Sequence, residues 1–430
     1  MTSGGAPARA EMIREFVGSA RFAQAVSLLA IGLAFSTHAI RALIGWPGLL
    51  AALAGLLVLC AASLVTRWRA IEWYGILPLT ILVFVGWCAA SVIWSTTPGA
   101  SAARVVYLVA FAVLGVYVAL MRDTIQIVRA FGDAFRLLLG VSLALELLAG
   151  ILIDSPIPFL GIQGDLAALG PIQGIFGSRN MLGFVALIGF ITFIVEWRMH
   201  IISRTRAIGS VALALGSIVL SGSPTAWIAL GAALVALAAL YGLRRVPTVS
   251  RWRWQLALLV TGAAALVTGW ILRIRIIELL DARAEFDVRL DLWRELSRYL
   301  SLNPLQGWGW VGRWPDAPPY TWLEAGAGRP HESALNAYLD AYFQVGVIGA
   351  FAFAALIGVA LVRAWLLASN RRSVVYLWPA LVLVAVAVTS AAESFALYEG
   401  GWMLVVICAV KAARDMSWRD ALARRAASAG

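Results

Sequence analysis

Apolar residues along this chain form blocks of about 20, separated by short polar segments that are rich in arginine. A helix of about 20 apolar residues spans the hydrocarbon core of a bilayer. The pattern predicts an all-α, polytopic membrane protein with about 12 transmembrane helices. The predicted spans are 22–40, 43–65, 74–94, 104–121, 131–152, 179–196, 207–221, 225–243, 255–275, 334–362, 374–392 and 397–412.

Arginines between the blocks are concentrated on one side of the membrane. With the N-terminus in the cytoplasm, every inner segment, including the C-terminal tail, carries basic residues. Cytoplasmic loops of membrane proteins have such an excess, so we expect both termini in the cytoplasm. The predicted organisation is a cytoplasmic segment 1–21, transmembrane helices 1–9 over 22–275, an extracytoplasmic loop 276–333, transmembrane helices 10–12 over 334–412 and a cytoplasmic tail 413–430.

The composition indicates that membrane lipids surround this chain and that nucleic acid is not a partner. Hydrophobic residues make up 61% and charged residues 13% of it, whereas soluble domains are about half apolar and about a quarter charged. The net charge of +11 would suit nucleic acid, but the basic residues lie between apolar blocks instead of on one polar face. All three cysteines fall inside apolar blocks, so no disulfide or metal framework is predicted.

The longest extracytoplasmic loop, 276–333, begins with the pattern of an amphipathic helix. Most charged side chains of this segment project away from the apolar arc, whereas Arg289 projects onto it. The helix is expected to lie against the membrane surface or the helix bundle. Its apolar positions recur every three or four residues, as on one helix face: Phe286, Leu290, Trp293, Leu296 and Leu300.

Arg289 has two interpretations, because a buried arginine is costly unless it meets an anion. It is a candidate ligand for phosphate or pyrophosphate, with Arg283 and Arg329 as weaker candidates. Alternatively, it snorkels or forms a structural pair with a carboxylate such as Glu278 or Asp281.

The loop continues with Gly-Trp-Gly-Trp-Val-Gly-Arg-Trp at residues 307–314. Glycine lets a backbone approach a ligand closely, and the flat rings of Trp308 and Trp310 are candidates for stacking on sugars. Tryptophan is also enriched at membrane interfaces. The concentration of these rings in one loop is what favours a glycan.

His331 ends the loop, immediately before a predicted transmembrane helix. A near-neutral imidazole can take a proton from a hydroxyl nucleophile. A helix N-terminus and the neighbouring Arg329 would both favour the neutral ring. Glu332, the next residue, is an alternative base, and the sequence does not separate the two.

Two shorter motifs are predicted on the same side of the membrane. Residues 177–180 read Gly-Ser-Arg-Asn before a predicted helix, so Arg179 and Asn180 are candidates to bind an anion at a helix N-terminus. Arg104 opens another predicted helix, where an ordinary interfacial anchor is the favoured interpretation. The sequence has no clustered Asp/Glu metal site, no P-loop, no HExxH and no GxSxG.

These pieces resemble the O-antigen ligase and polymerase superfamily of bacterial envelope glycan assembly. The resemblance covers most of the chain from about residue 90. Two positions depart from the family pattern: Pro224 stands where arginine is frequent, and Glu332 where asparagine is frequent. Five motifs occur in family order: Val92–Ser95 with Pro98 and Arg104; Gly174–Gly183; Ser221–Trp227; Arg289–Trp293 with Asn303–Gly309; and His331–Leu335 with Gly346–Gly349.

The resemblance implies a metal-free and cofactor-free glycosyltransferase of the bacterial inner membrane, with a periplasmic active site. Its donor would be a glycan on undecaprenyl pyrophosphate. Its acceptor would be the lipid A–core oligosaccharide in a ligase, or another lipid-linked unit in an O-antigen or exopolysaccharide polymerase. The compact chain without a long C-terminal domain favours the ligase. The catalytic residues would be His331, Arg289 and Glu332.

A transporter or flippase is the alternative from another class, and a structural scaffold is a third. A transporter would show internal repeats, broken helices with Gly or Pro at the midplane, or charged residues within its spans. No repeat is evident, and Arg136, Glu146 and Glu393 are the few charged candidates.

Overall fold

The computed structural model describes residues 11–12, 14–70, 78–168, 170–247, 249–272, 274–275, 278, 283–327 and 331–416. Within these ranges the chain is helical, and its one β-bridge joins the single residues Ile157 and Ile162. The all-α prediction is therefore confirmed. The helices are α1 Ala20–Phe35, α2 Thr37–Thr66, α3 Leu79–Ala90, α4 Pro98–Met121, α5 Thr124–Leu147, α6 Arg179–Arg198, α7 Arg204–Ser221, α8 Pro224–Arg245, α9 Arg251–Ile271, α10 Arg283–Leu300, α11 Tyr320–Ala327, α12 Ala337–Asn370, α13 Leu377–Thr389 and α14 Glu399–Asp415.

Each predicted span overlaps at least one of these helices. Among the described residues, six helices are long and apolar enough to cross a membrane: α2, α4, α5 with its extension to Leu152, α6, α8 and α12. The chain is therefore a polytopic membrane protein. The total of about twelve crossings stays a prediction.

Polar side chains determine where several helices begin. The carboxylate of Asp123 accepts a hydrogen bond from Gln126 N at 2.8 Å and starts α5. The hydroxyl of Ser178 accepts one from Met181 N at 3.1 Å and starts α6. Such side chains satisfy backbone donors that have no partner within the helix.

The chain divides into two compact units, each with its own core. Unit 1 comprises residues Met1–Pro78, Val109–Ser223 and Glu399–Gly430, and unit 2 comprises Leu79–Leu108 and Pro224–Tyr398. In unit 1, α5 packs against α1, α6 and α7, and the buried rings of Phe35, Phe131 and Phe135 meet edge to face.

In unit 2 the long helix α12 packs against α3, α8, α10 and α13. It is interrupted at Val345 and Gly346, where the backbone leaves helical geometry and Gly346 has a φ of 69°. The 303–310 segment of the predicted loop packs onto this interruption. The kink therefore joins the loop to the helices of the unit.

Candidate functional site

Helix α10 packs by the face that carries Arg289. Leu292 and Leu296 are fully buried beside it, and Asp287, Asp291 and other charged positions of the helix are exposed. The predicted amphipathic helix is present, but its buried face is rotated from the predicted stripe. Of the stripe's five residues, only Leu296 is fully buried, because Arg289 and Leu292 occupy the centre of the face.

Arg289 forms an ion pair with Glu393. Its Nη2 donates to Glu393 Oε1 at 2.8 Å, and its Nε donates to the Ala392 carbonyl at 3.3 Å. Both side chains are buried. The structure thus contains a carboxylate pair of the kind predicted as the alternative for Arg289, with Glu393 as the carboxylate. Asp281 and Arg329 lie outside the described residues, as does the side chain of Arg283.

The residues near Glu393 also hold the segment that contains His331. Asn336 Nδ2 donates to the Ala391 carbonyl at 2.9 Å, and Ala337 N donates to the Ser390 carbonyl at 2.8 Å. From α10, Trp293 Nε1 donates to the Ala334 carbonyl at 2.9 Å. Unit 2 therefore gathers Arg289 and the 331–337 segment around residues 390–393.

His331 lies in irregular backbone before α12, and its side chain is partly buried. The helix starts at Ala337 because the Asn336 carboxamide caps it, accepting from Tyr338 N at 3.0 Å and Leu339 N at 3.1 Å. The expectation that His331 sits at a helix N-terminus is therefore wrong. The helix dipole acts within about the first turn, and His331 lies outside that turn.

The carboxylate of Glu332 is paired with a cation. Arg313 Nη1 donates to Glu332 Oε2 at 2.6 Å, and Trp314 N donates to the Glu332 carbonyl at 2.9 Å. The Arg313 guanidinium also lies over the Tyr398 ring, 5.0 Å from its centroid. The pair lies at the surface, since the Glu332 side chain is 73% exposed. Arg313 stands within the Gly/Trp run of the sequence, and its pairing with Glu332 was not predicted.

The Gly/Trp turn, residues 307–314, forms hydrogen bonds with the backbone at the kink of α12. Trp308 N donates to the Phe343 carbonyl at 3.1 Å, and Gly309 N donates to the Gln344 carbonyl at 2.8 Å. Trp87 Nε1 donates to the Val345 carbonyl at 2.8 Å. Backbone groups released by the interruption thus regain partners, as buried backbone requires.

The glycines of this turn are required by close packing. A Cβ on Gly307 would lie 2.5 Å from Gly346 N and 2.6 Å from the Gln344 carbonyl oxygen. A Cβ on Gly346 would collide with the Leu305 carbonyl. The glycines do allow a close backbone approach, as predicted, and it is the loop that approaches helix α12 here.

The two tryptophans of the turn occupy different environments. Trp310 is 1% exposed; its backbone N donates to Ser91 Oγ at 2.9 Å, and its ring meets Phe84 edge to face. Its assignment to sugar stacking is corrected, because the buried ring has no open face. Trp308 is partly buried and packs near Tyr299 and Phe343.

A buried polar network beneath the turn was not predicted. Gln344 Oε1 accepts from Val311 N and Gly312 N, each at 2.9 Å, and Gln344 Nε2 donates to Asp340 Oδ1 at 2.8 Å. Trp314 Nε1 donates to the same Asp340 oxygen at 2.9 Å. The spacing of Asp340 and Gln344 places both on one helix face, and this was the available signal.

The remaining predicted residue of unit 2 is Arg104. Helix α4 begins at Pro98, so Arg104 lies in its second turn and does not open the helix as predicted. Its side chain is partly buried.

Arg179 and Asn180 belong to unit 1, at the start of α6. Asn180 Oδ1 accepts from Ser223 Oγ at 2.7 Å, which joins the predicted motif to the serine-rich turn. Gly177, with a φ of 76°, packs against the His38 ring. The structure therefore places Arg179 in an ordered helix N-terminus, as predicted.

The charges that a transporter would need are engaged in structural contacts. Glu146 Oε1 accepts from Gln173 N at 3.0 Å and Gly174 N at 2.7 Å. Arg136 is ion-paired with Glu196. These side chains hold helices and turns together, which weakens the transporter interpretation as far as it rests on charges. Helices α2 and α12 are nevertheless interrupted, at Gly45 and Gly346, so broken helices are present.

Residues 209–354 match a protein-family model described as O-Antigen ligase. The matched segment contains Arg289, the Gly/Trp turn and His331. The match confirms the resemblance to the ligase and polymerase superfamily. No curated protein matches the chain.

Proposed function

We propose that the protein moves a glycan from undecaprenyl pyrophosphate to the lipid A–core oligosaccharide, and the match of residues 209–354 to the O-antigen ligase family model supports this. The observation that carries this proposal is that the matched segment contains both Arg289 and His331. The reaction takes place at the periplasmic face of the inner membrane, with loop 276–333 outside, both termini inside and twelve membrane crossings. It uses no metal or cofactor.

The proposed step is a direct displacement at the anomeric carbon of the donor. His331 takes the proton of the acceptor hydroxyl, whose oxygen forms the new bond to the anomeric carbon. The bond from that carbon to the pyrophosphate oxygen breaks, and undecaprenyl pyrophosphate leaves with the electron pair. Arg289 stabilises the growing negative charge, since cations held in place in a water-poor site are effective at this.

The contacts of Glu332 support His331 as the base. Arg313 Nη1 donates to Glu332 Oε2 at 2.6 Å, so this carboxylate already has a structural partner. Glu332 then serves to keep Arg313 and the neighbouring backbone in place. Arg104, Arg179, Asn180, Arg283, Arg329 and Trp308 are the proposed further contacts to the substrates.

A polymerase that uses a lipid-linked acceptor is the second candidate, because the matched family supports both reactions. Purified protein is given a lipid-linked glycan with lipid A–core, or with no other acceptor. Product on lipid A–core identifies a ligase, and longer lipid-linked chains identify a polymerase. If neither forms, or if folded His331→Ala and Arg289→Ala proteins transfer glycan at the wild-type rate, the proposal fails.

A further inference from the structure

Two cations of unit 1 are buried at helix ends. Arg122 directly follows α4 and is 9% exposed, and Lys411 lies near the end of α14 and is 8% exposed. The Arg122 Nε has no hydrogen-bond partner, and neither side chain forms a salt bridge in the part of the chain that the structure describes. A buried charge is costly unless it is paired with an opposite charge.

The packing of α4 on α14 brings these two cations to one end of the unit. A Cβ on Gly115 would lie 3.0 Å from both the Met403 carbonyl oxygen and Val406 Cγ1. Arg122 is seven residues beyond Gly115, about 10 Å along the helix, and Lys411 is five beyond Val406, about 7 Å. Asp123 interacts electrostatically with both cations, which places them at the same end.

A third helix adds positive charge there. Tyr117 Oη donates to Ser63 Oγ at 3.1 Å, which ties the end of α2 to the end of α4. Arg67 follows α2, and its guanidinium donates to the Gly18 carbonyl at 2.9 and 2.6 Å. Arg67 repels the charge on Arg122.

The acids around these cations do not neutralise them. The Asp123 carboxylate, which caps α5, acts on both cations, and Asp415 acts on Lys411 together with the opposing Arg414. Arg129 adds another positive charge beside Arg122. Burial lowers the pKa of the Arg122 guanidinium, and Asp123 counteracts this only in part. The cluster therefore has an excess of positive charge.

We propose that Arg122 and Lys411 bind the phosphate of an anionic membrane phospholipid. Basic pockets between helices on the cytoplasmic side bind lipid head groups, and this end of unit 1 is the predicted cytoplasmic end. Helix α2 also lines an apolar cavity of about 610 Å³ through Leu56 and Leu59, about three and two turns before Arg67. An acyl chain fits that lining, whereas free phosphate would leave it empty.

The test starts with delipidated wild-type protein in detergent. Short-chain phosphatidylglycerol, phosphatidylcholine and inorganic phosphate are each titrated while thermal unfolding is followed. We expect phosphatidylglycerol to raise the unfolding temperature, and the other two to raise it much less. Equal stabilisation by inorganic phosphate would overturn the proposal in favour of a free anion, and equal stabilisation by phosphatidylcholine would show that no anionic site exists.

Variants then locate the site. Arg122→Gln and Lys411→Met should each weaken phosphatidylglycerol binding about five-fold, the usual contribution of one basic residue at an anionic membrane surface. Arg122→Lys keeps the charge and should retain most of the binding. The matched control is Arg204→Gln, which removes an exposed arginine of the same unit and should bind as wild type does. Unchanged binding in both neutral variants would refute the assignment.

Discussion

Removal of either partner of the Arg289–Glu393 pair should destabilise the protein far more than removal of both. The two groups are 2.8 Å apart, and their side chains are 10% and 5% exposed. A single substitution breaks the buried ion pair from one side, which typically costs about 3–5 kcal/mol. Replacement of a whole buried pair by neutral groups is often close to neutral. Arg289→Met and Glu393→Gln should therefore each lose several kcal/mol, and the double variant should regain most of it.

The assay is thermal unfolding in detergent, followed by tryptophan fluorescence, with glycan transfer measured on the same samples. Arg294→Gln is the matched control, because this arginine of the same helix is 70% exposed. Effects of the two single substitutions that simply add would refute the coupling. A double variant with wild-type stability and wild-type transfer would show that Arg289 is a structural residue. It would refute the proposal that Arg289 stabilises the charge on the leaving pyrophosphate.

Three further outcomes follow from the contacts of unit 2. Gly346→Ala should prevent folding or severely lower the yield of folded protein. The added Cβ would collide with the Leu305 carbonyl, and alanine is strained at the positive φ of this position. Size-exclusion chromatography of the expressed protein checks this. His331→Ala should slow transfer about 10²–10⁴-fold and Glu332→Gln less than about 10-fold, measured as initial rates; the reverse order would identify Glu332 as the base. Trp310→Ala should cost about 3–5 kcal/mol of stability and leave the KM for the glycan donor unchanged in the folded fraction.

The apolar blocks predicted the helices well, because block length and composition are local properties of the chain. Their boundaries shifted where a single capping side chain decides the start. Asn336 accepts two backbone hydrogen bonds and moves the start of α12 to Ala337. Helix α4 begins at Pro98, before its apolar run. Caps of this kind are visible in a sequence, but several candidates usually compete within a few residues.

The sequence did not predict contacts between residues that are far apart along the chain. The periodicity of α10 predicted that Arg289 faces inward, yet its partner Glu393 is 104 residues away, and nothing in either local pattern joins them. The burial of the Trp310 ring was also not predictable from the neighbouring sequence. It stands between glycines in a run without periodicity, and only the packing of the turn against Ser91 and Phe84 reveals that its ring is buried.

The Glu393 carboxylate has two opposing effects on the function proposed for Arg289. It holds the guanidinium in one position, and a cation fixed in place before the reaction stabilises a leaving group better than a mobile one. It also cancels much of the charge that would attract a pyrophosphate. Glu393→Gln removes the negative charge and keeps a hydrogen-bonding side chain of the same shape. If the pyrophosphate binds at Arg289, this variant should show a lower KM for the lipid-linked donor together with its reduced stability. An unchanged or higher KM in the folded fraction would mean that the donor's phosphates are held elsewhere.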